Sequence, residues 1–136
     1  MRFMLDTNIC IHLIESQPPQ VMTRFNALEH GDVVMSVITC AELCHGVERD
    51  PVHREAAHEA LTRLQQLIPV MPFDREDAVR YGQLAAAVKD RRKDALDRLI
   101  AAHAVSLGVV LVTDNQDDFK GYPGLTVENW VAGSSV

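Results

Sequence analysis

The sequence predicts an α/β domain: a three-layer α/β/α sandwich with a central, mainly parallel sheet. Three observations carry this. Apolar runs of three or four residues recur at 3–5, 33–36 and 109–112. Runs that short, bounded by polar turn formers, read as strands buried on both faces. Longer segments between them carry apolar residues at helical spacing, and strands alternate with helices without an internal repeat, as in βα units closing on a parallel sheet.

The elements follow in order. Phe3, Met4 and Leu5 run into Asp6, then Thr7 and Asn8, which predicts a strand ending on a carboxylate. Ile9, Ile11, Leu13 and Ile14 predict a short helix that stops near Ser16-Gln17-Pro18-Pro19. Val21, Phe25 and Leu28 mark a second helix, stopped by His30-Gly31-Asp32. Residues 33–36 form the second strand. Thr39-Cys40-Ala41-Glu42 matches the S/T-x-x-E capping box, so a helix is expected to begin there and run toward Arg49. Ala57, Leu61, Leu64 and Leu67 share one face of a helix over 54–67, closed by Pro69. Val70 and Met71 make a brief strand, and Asp74 is placed to cap a helix over 75–89. Residues 90–93 are a charged connector. Asp94 can cap a helix whose stripe is Leu96, Leu99, Ile100, His103 and Leu107, with Gly108 as its C′ residue. Residues 109–112 form the clearest buried strand, followed by Thr113-Asp114-Asn115. Phe119 is expected to pack back, and 125–127 to form a last strand.

The 136 residues fit one domain, expected over 1–132 with a frayed tail at 133–136. No apolar run reaches the roughly 18 residues of a membrane span, and an early Arg followed by an acid does not resemble a signal peptide. Cys10, Cys40 and Cys44 are odd in number and lack framework spacing, which points to a reducing, cytoplasmic compartment. The net charge of −6 opposes a purely electrostatic nucleic-acid binder. That objection weakens if the acids cluster around cations, or if Lys89, Arg91, Arg92 and Lys93 act locally.

Acids recur where strands meet the following segment: Asp6, Glu42, Asp94 with Asp97, and Asp114 with Asp117 and Asp118. Parallel strands share one carboxyl edge, where open α/β sheets bind ligands. Carboxylates crowded there repel unless a cation or shared protons neutralise them. An oxygen-only cluster suits Mg²⁺ or Mn²⁺, and ions so held hydrolyse phosphodiesters. Each acid also has a structural reading. Glu42 can complete its capping box, Asp94 can be a cap, and Asp97 can favour a helix dipole. Asp114, Asp117 and Asp118 can be turn residues. Asp6 has the weakest structural excuse. His103 reads as a core or supporting histidine, and Cys40, Cys44 and His45 lack a fourth ligand and a C-x₂-C pair for zinc.

These residues carry a resemblance. Met4-Leu5-Asp6-Thr7-Asn8-Ile9-Cys10-Ile11, Ala41-Glu42-Leu43 with Gly46, and Asp97-x-Leu99-Ile100-Ala101-Ala102-His103-Ala104 occur in order. Leu111-Val112-Thr113-Asp114-Asn115 with Asp118-Phe119, Pro123-Gly124-Leu125 and Val127-Glu128-Asn129-Trp130 follow. Together they resemble PIN-domain ribonuclease toxins of the VapC type. The resemblance implies a PIN-like sandwich with an acidic Mg²⁺ or Mn²⁺ pocket, RNA hydrolysis, homodimerisation and a cognate antitoxin. It implies catalytic roles for Asp6, Glu42 and Asp97, with Asp6 and Asp97 as metal ligands. The fourth acid is Asp118 by analogy with Thr-Asn-Asn-x-x-Glu-Phe relatives, or Asp114, since the position two after the threonine is Asn115 here. Thr7, Asn8, Thr113, Asn115 and Asp94 are candidate supporting residues. The chain departs from the family at Arg91-Arg92-Lys93-Asp94, where relatives often carry a Gly-x-Pro-Ile-Gly-Pro-like segment. Arg91, Arg92, Lys93 and Arg98 are therefore candidate RNA contacts.

Three competing classes fit less well. A haloacid-dehalogenase-like phosphatase wants an acid at the position of Asn8 and a lysine ahead of the last acids, but Lys120 follows them. A receiver domain wants paired acids at the first strand, and Asp6 has no acidic neighbour. A partner-binding module would use the acids only to receive a basic segment, and metal-dependent RNA cleavage distinguishes it from an enzyme.

Overall fold

Within each strand, alternate residues divide the core in two. The computed structural model describes residues 1–88 and 94–132. In it β1 (Phe3–Leu5) sends Phe3 and Leu5 into one apolar cluster and Met4 into the other. β2 (Val33–Ser36) splits in the same way, Val33 and Met35 against Val34. β4 (Val110–Val112) splits Val110 and Val112 against Leu111. Both faces of the sheet are therefore covered, which is why these strands read as unbroken apolar runs.

The first cluster is closed by α1 (Thr7–Glu15), α2 (Pro19–Asn26) and α4 (Arg54–Leu67), through Ile9, Leu13, Val21, Leu61 and Leu64. The second is closed by α5 (Arg75–Ala87) and α6 (Ala95–Leu107), through Leu84, Ile100, Ala101 and Ala104. Between them α3 (Val37–Glu48) gives Leu43 and Val47 to the first cluster and Ile38 to the second. With β3 (Val70–Met71) and β5 (Val127–Glu128), the strand order is β3-β2-β1-β4-β5. Every described pairing is parallel, including Phe3 against both Val33 and Val110. The expected three-layer α/β/α architecture is present, and its sheet is wholly parallel among the described residues. Lys89 to Lys93 and the expected tail at 133–136 lie outside the described residues.

Several predicted caps are in place. Asp74 accepts from the backbone N–H groups of Glu76 and Asp77, and Asp77 accepts in return from Asp74 N at 2.8 Å, a complete capping box. Asp94 accepts from Leu96 N at 2.6 Å. Gly108 ends α6 at φ +71°, in the left-handed region that a Cβ disfavours.

The expected capping box at Thr39 and Glu42 is absent. α3 begins at Val37, and its cap is Ser36, whose Oγ accepts from Ile38 N at 3.0 Å. Thr39 lies inside the helix, and its buried hydroxyl has no partner among the described residues. The reason is tertiary. Ser36 Oγ also meets Nδ1 of the buried His103 at 2.8 Å, so capping there satisfies two buried groups at once. Three shifts are smaller, the first being that β4 begins at Val110 rather than Val109. α1 starts at Thr7 rather than Ile9, and β5 covers 127–128 rather than 125–127.

A stability test separates Ser36 from Thr39. Ser36→Ala removes a cap worth about 1 kcal/mol and strands a buried imidazole nitrogen at about 1–3 kcal/mol, so urea melts should show a loss of at least about 2 kcal/mol. Thr39→Val removes an unsatisfied hydroxyl and should leave stability unchanged or higher. The opposite ranking would restore Thr39 as the cap.

Candidate active site

The strand order reverses direction between β1 and β4, which makes the crevice above their carboxyl ends the expected ligand site of an open α/β sheet. Asp6 leaves β1 there and is only 6% exposed. Its Oδ1 accepts from Ile9 N at 3.0 Å, so Asp6 also caps α1. Of the acids Asp6 has the weakest structural reading in the sequence, and the fold supplies one in this cap. Its backbone N–H donates to Val112 O at 3.0 Å across the crevice, and the Thr113 side chain hydrogen-bonds its carboxylate.

The other acids arrive from different elements. Glu42 comes from the second turn of α3, where its Oε1 accepts from Thr7 Oγ1 at 2.7 Å. Asp97 stands in the first turn of α6, one turn after the Asp94 cap. Asp114 follows β4, and its Oδ2 meets His12 Nε2 at 2.9 Å. Asp118 lies in a 3₁₀ turn, Gln116–Phe119, where Asn115 Nδ2 donates to it at 2.5 Å. Asn115 N in turn donates to Thr113 Oγ1 at 3.0 Å. The tertiary fold thus brings the five predicted acids, Asp6, Glu42, Asp97, Asp114 and Asp118, into one electrostatic unit.

That unit is strained in charge. Burial raises Asp6 to about 6, and the neighbouring Asp114 and Glu42 add to the rise, against the opposing hydrogen bonds of Thr113 and Ile9. Burial also raises Asp97 to about 7, with further contributions from Asp94, Asp118, Glu42 and Asp6. Among the described residues no three acid, histidine or cysteine side chains close into a cation cage. A set of carboxylates without sulfur is the kind of donor set that hard divalent cations take.

Of the basic candidates, Arg98 donates to Tyr81 OH at 3.4 Å and also bonds Tyr122. Arg91, Arg92 and Lys93 lie outside the described residues. Beside the acids runs a groove of about 390 Å³ between α1, α3 and α4. Its acidic end carries Thr7, Asn8 and Glu42, and its floor and rim carry Ile11, Ile14, Leu43 and Leu61. Sequence reading missed this groove, although Ile11 and Ile14 on the outer side of a short helix were its visible signal. It also missed His12, whose partner stands 102 residues away.

A parallel sheet in 3-2-1-4-5 order with acids from β1, α3, α6 and the β4 loop defines a PIN domain. The PIN-domain family model matches residues 3–125, and the chain belongs to that family. Within it the chain falls among the VapC ribonucleases. It is 37% identical over 134 residues to the tRNA(fMet)-specific endonuclease VapC of Shigella flexneri, covering 96% of this chain and 98% of that one. Among solved structures it resembles VapBC2 of Rickettsia felis, bound to a promoter DNA fragment, at 30% identity and a TM-score of 0.87. That match covers 96% of this chain and 99% of the Rickettsia chain. DNA-bound VapBC of Salmonella typhimurium is similar at 32% identity and the same TM-score, covering 96% and 98%.

Proposed function

We propose that this protein is a divalent-metal-dependent endoribonuclease toxin that hydrolyses phosphodiester bonds in structured RNA, with tRNA as the substrate class. The observation that carries this is the convergence of acids from β1, α3, α6 and the β4 loop on the crevice where Asp6 is buried. Two carboxyl groups raised to about 6 and about 7 by burial and by other acids form a site that favours a cation. The tRNA assignment rests on the similarity to the Shigella tRNA(fMet)-specific endonuclease.

In this reading Asp6 and Asp97 hold Mg²⁺ or Mn²⁺, and Glu42 and Asp118 complete the site partly through water. The bound ion supplies an activated water nucleophile and stabilises developing charge on the phosphate. The chain's own residues set the stage. Asp6 is locked in place by the start of α1, and Thr7 orients Glu42 through its hydroxyl. Thr113 steadies both Asp6 and the backbone at Asn115. Asn8 is exposed at the groove's acidic end, and Asp94 adds its charge beside Asp97. Arg91, Arg92, Lys93 and Arg98 are the proposed phosphate grip.

The neutralising partner is an antitoxin segment that lays apolar side chains along Ile11, Ile14, Leu43 and Leu61. It places an Arg or Lys among the acids, Arg matching carboxylates geometrically. A complex in which the partner leaves this groove open would reject the mechanism. No described helix is long and apolar enough to cross a membrane. The free thiols of Cys10, Cys40 and Cys44 suit a reducing cytoplasm. A homodimer is proposed from the resemblance, and sedimentation would test it.

The deciding experiment is incubation of purified tRNA with the protein in Mn²⁺, in Mg²⁺ and in a chelator. Cleavage with either ion and none with chelator is expected, and metal-independent cleavage or none at all would reject the proposal. Glu42→Gln sharpens it. Gln still accepts from Thr7, so melting temperature should hold or rise, while loss of the charge should remove most cleavage. Full activity in that variant would leave the pocket with one acid fewer.

A further inference from the structure

The loop after β4 carries two acids at the site, and their side chains are held in different ways. Asp118 is held within its own turn by Asn115. Asp114 is held from outside, by His12 on α1, at 2.9 Å. A histidine in the last turn of a helix is often there to complement the helix dipole. Here the ring reaches across to the neighbouring strand's loop instead. Because a carboxylate only accepts, Nε2 carries the hydrogen in this contact. The two side chains are 25% and 24% exposed, so solvent screens the pair less than a surface ion pair.

The contact closes a ring of interactions around the crevice. Asp6 caps α1, α1 carries His12, His12 holds Asp114, and Asp114 is joined through the chain to Thr113, which bonds Asp6. Nothing else among the described contacts ties α1 to the Asp114 side chain.

We propose that His12 is a positioning residue that anchors the Asp114 carboxylate beside Asp6. The proposal rests on the metal-dependent reading above. A histidine that orients a site carboxylate is the reverse of the carboxylate that orients a ligating histidine, and losses of such supporting contacts cost 10–100-fold in metal affinity or activity.

Calorimetric titration with Mn²⁺ tests it, on wild type, His12→Phe, His12→Gln, Asp114→Asn, the His12→Phe/Asp114→Asn double variant and Asp6→Asn. His12→Phe and Asp114→Asn should each weaken Mn²⁺ binding about tenfold. The double variant should be no weaker than the worse single one, because both changes break one unit. His12→Gln, whose amide can still donate to Asp114, should retain affinity within about threefold, and a purely packing role for the ring would not be rescued by Gln. Unchanged or tighter binding in His12→Phe overturns the proposal, as do additive losses in the double variant or an equal loss in His12→Gln. Asp6→Asn distinguishes the two levels. Wild-type Mn²⁺ affinity in that variant rejects the metal-site reading itself. Loss in Asp6→Asn without loss in His12→Phe rejects only the role of His12.

Discussion

Asp6→Asn is expected to lower RNA cleavage by more than about 100-fold while the fold survives. The scale follows from the 10–100-fold cost of losing even an indirect contact to a metal site, since Asp6 is proposed as a direct ligand. The substitution is unusually clean here. Asp6 has two tasks, capping α1 through Ile9 N and carrying charge into the crevice. Asn is as good a cap as Asp, so the first task is kept and the second is lost. The variant also no longer buries a carboxylate whose ionisation the crevice opposes, so its metal-free melting temperature should equal or exceed wild type. Asp6→Ala, which loses the cap as well, should fall about 1 kcal/mol below Asp6→Asn. Cleavage assays and melting curves on the three proteins decide it, and wild-type cleavage by Asp6→Asn would remove this residue from the site.

Asp97→Asn should weaken a pH dependence. Burial and the surrounding acids raise the folded-state value of Asp97 to about 7, above its ordinary 3.8. A carboxyl group raised by folding binds more protons in the native state than in the unfolded one between those values. Its favourable contribution is therefore full below about pH 4 and is lost as pH climbs through about 7. Asp6, raised to about 6, acts in the same direction. In the absence of metal, wild type should lose stability across this window and Asp97→Asn should lose less. The two should coincide near pH 4 and diverge near pH 8. Asp97 is partly open to solvent, so the gain is on the order of 1 kcal/mol after screening, or roughly 4 °C. Saturating Mn²⁺ should restore wild type by mass action, with about 2.7 kcal/mol at a hundredfold excess over Kd. Asp97→Asn should gain far less. Parallel melting curves at pH 4 and pH 8 would deny the strain at Asp97.

Local pattern made much of the molecule readable. The apolar runs at Phe3–Leu5 and Val110–Val112 announced buried strands, because a strand covered on both faces has no polar side to interrupt it. The caps at Asp74, Asp94 and Gly108 were legible because a cap acts within three or four residues of itself. Asp6, Asp114 and Asp118 were legible as candidates because a parallel sheet gathers its strand ends on one edge, whereas Glu42 and Asp97, set on α3 and α6, were carried by the family resemblance.

By itself, then, the sequence determined the α/β class, the strands and most of their caps, and the set of acids at the sheet's carboxyl edge. The tertiary structure decided what those residues do to one another. Thr39 and Glu42 carry a valid capping signature, yet α3 is capped by Ser36, because only the fold brings His103 to the Ser36 hydroxyl. The same signature's glutamate is freed to meet Thr7, 35 residues away. Asp6 caps α1 as well as facing the crevice, and Asp114 is claimed by His12 across 102 residues. Hydrophobic period and cap chemistry act along a few residues of chain, whereas hydrogen bonding and charge act through space, and only the folded sheet sets those distances.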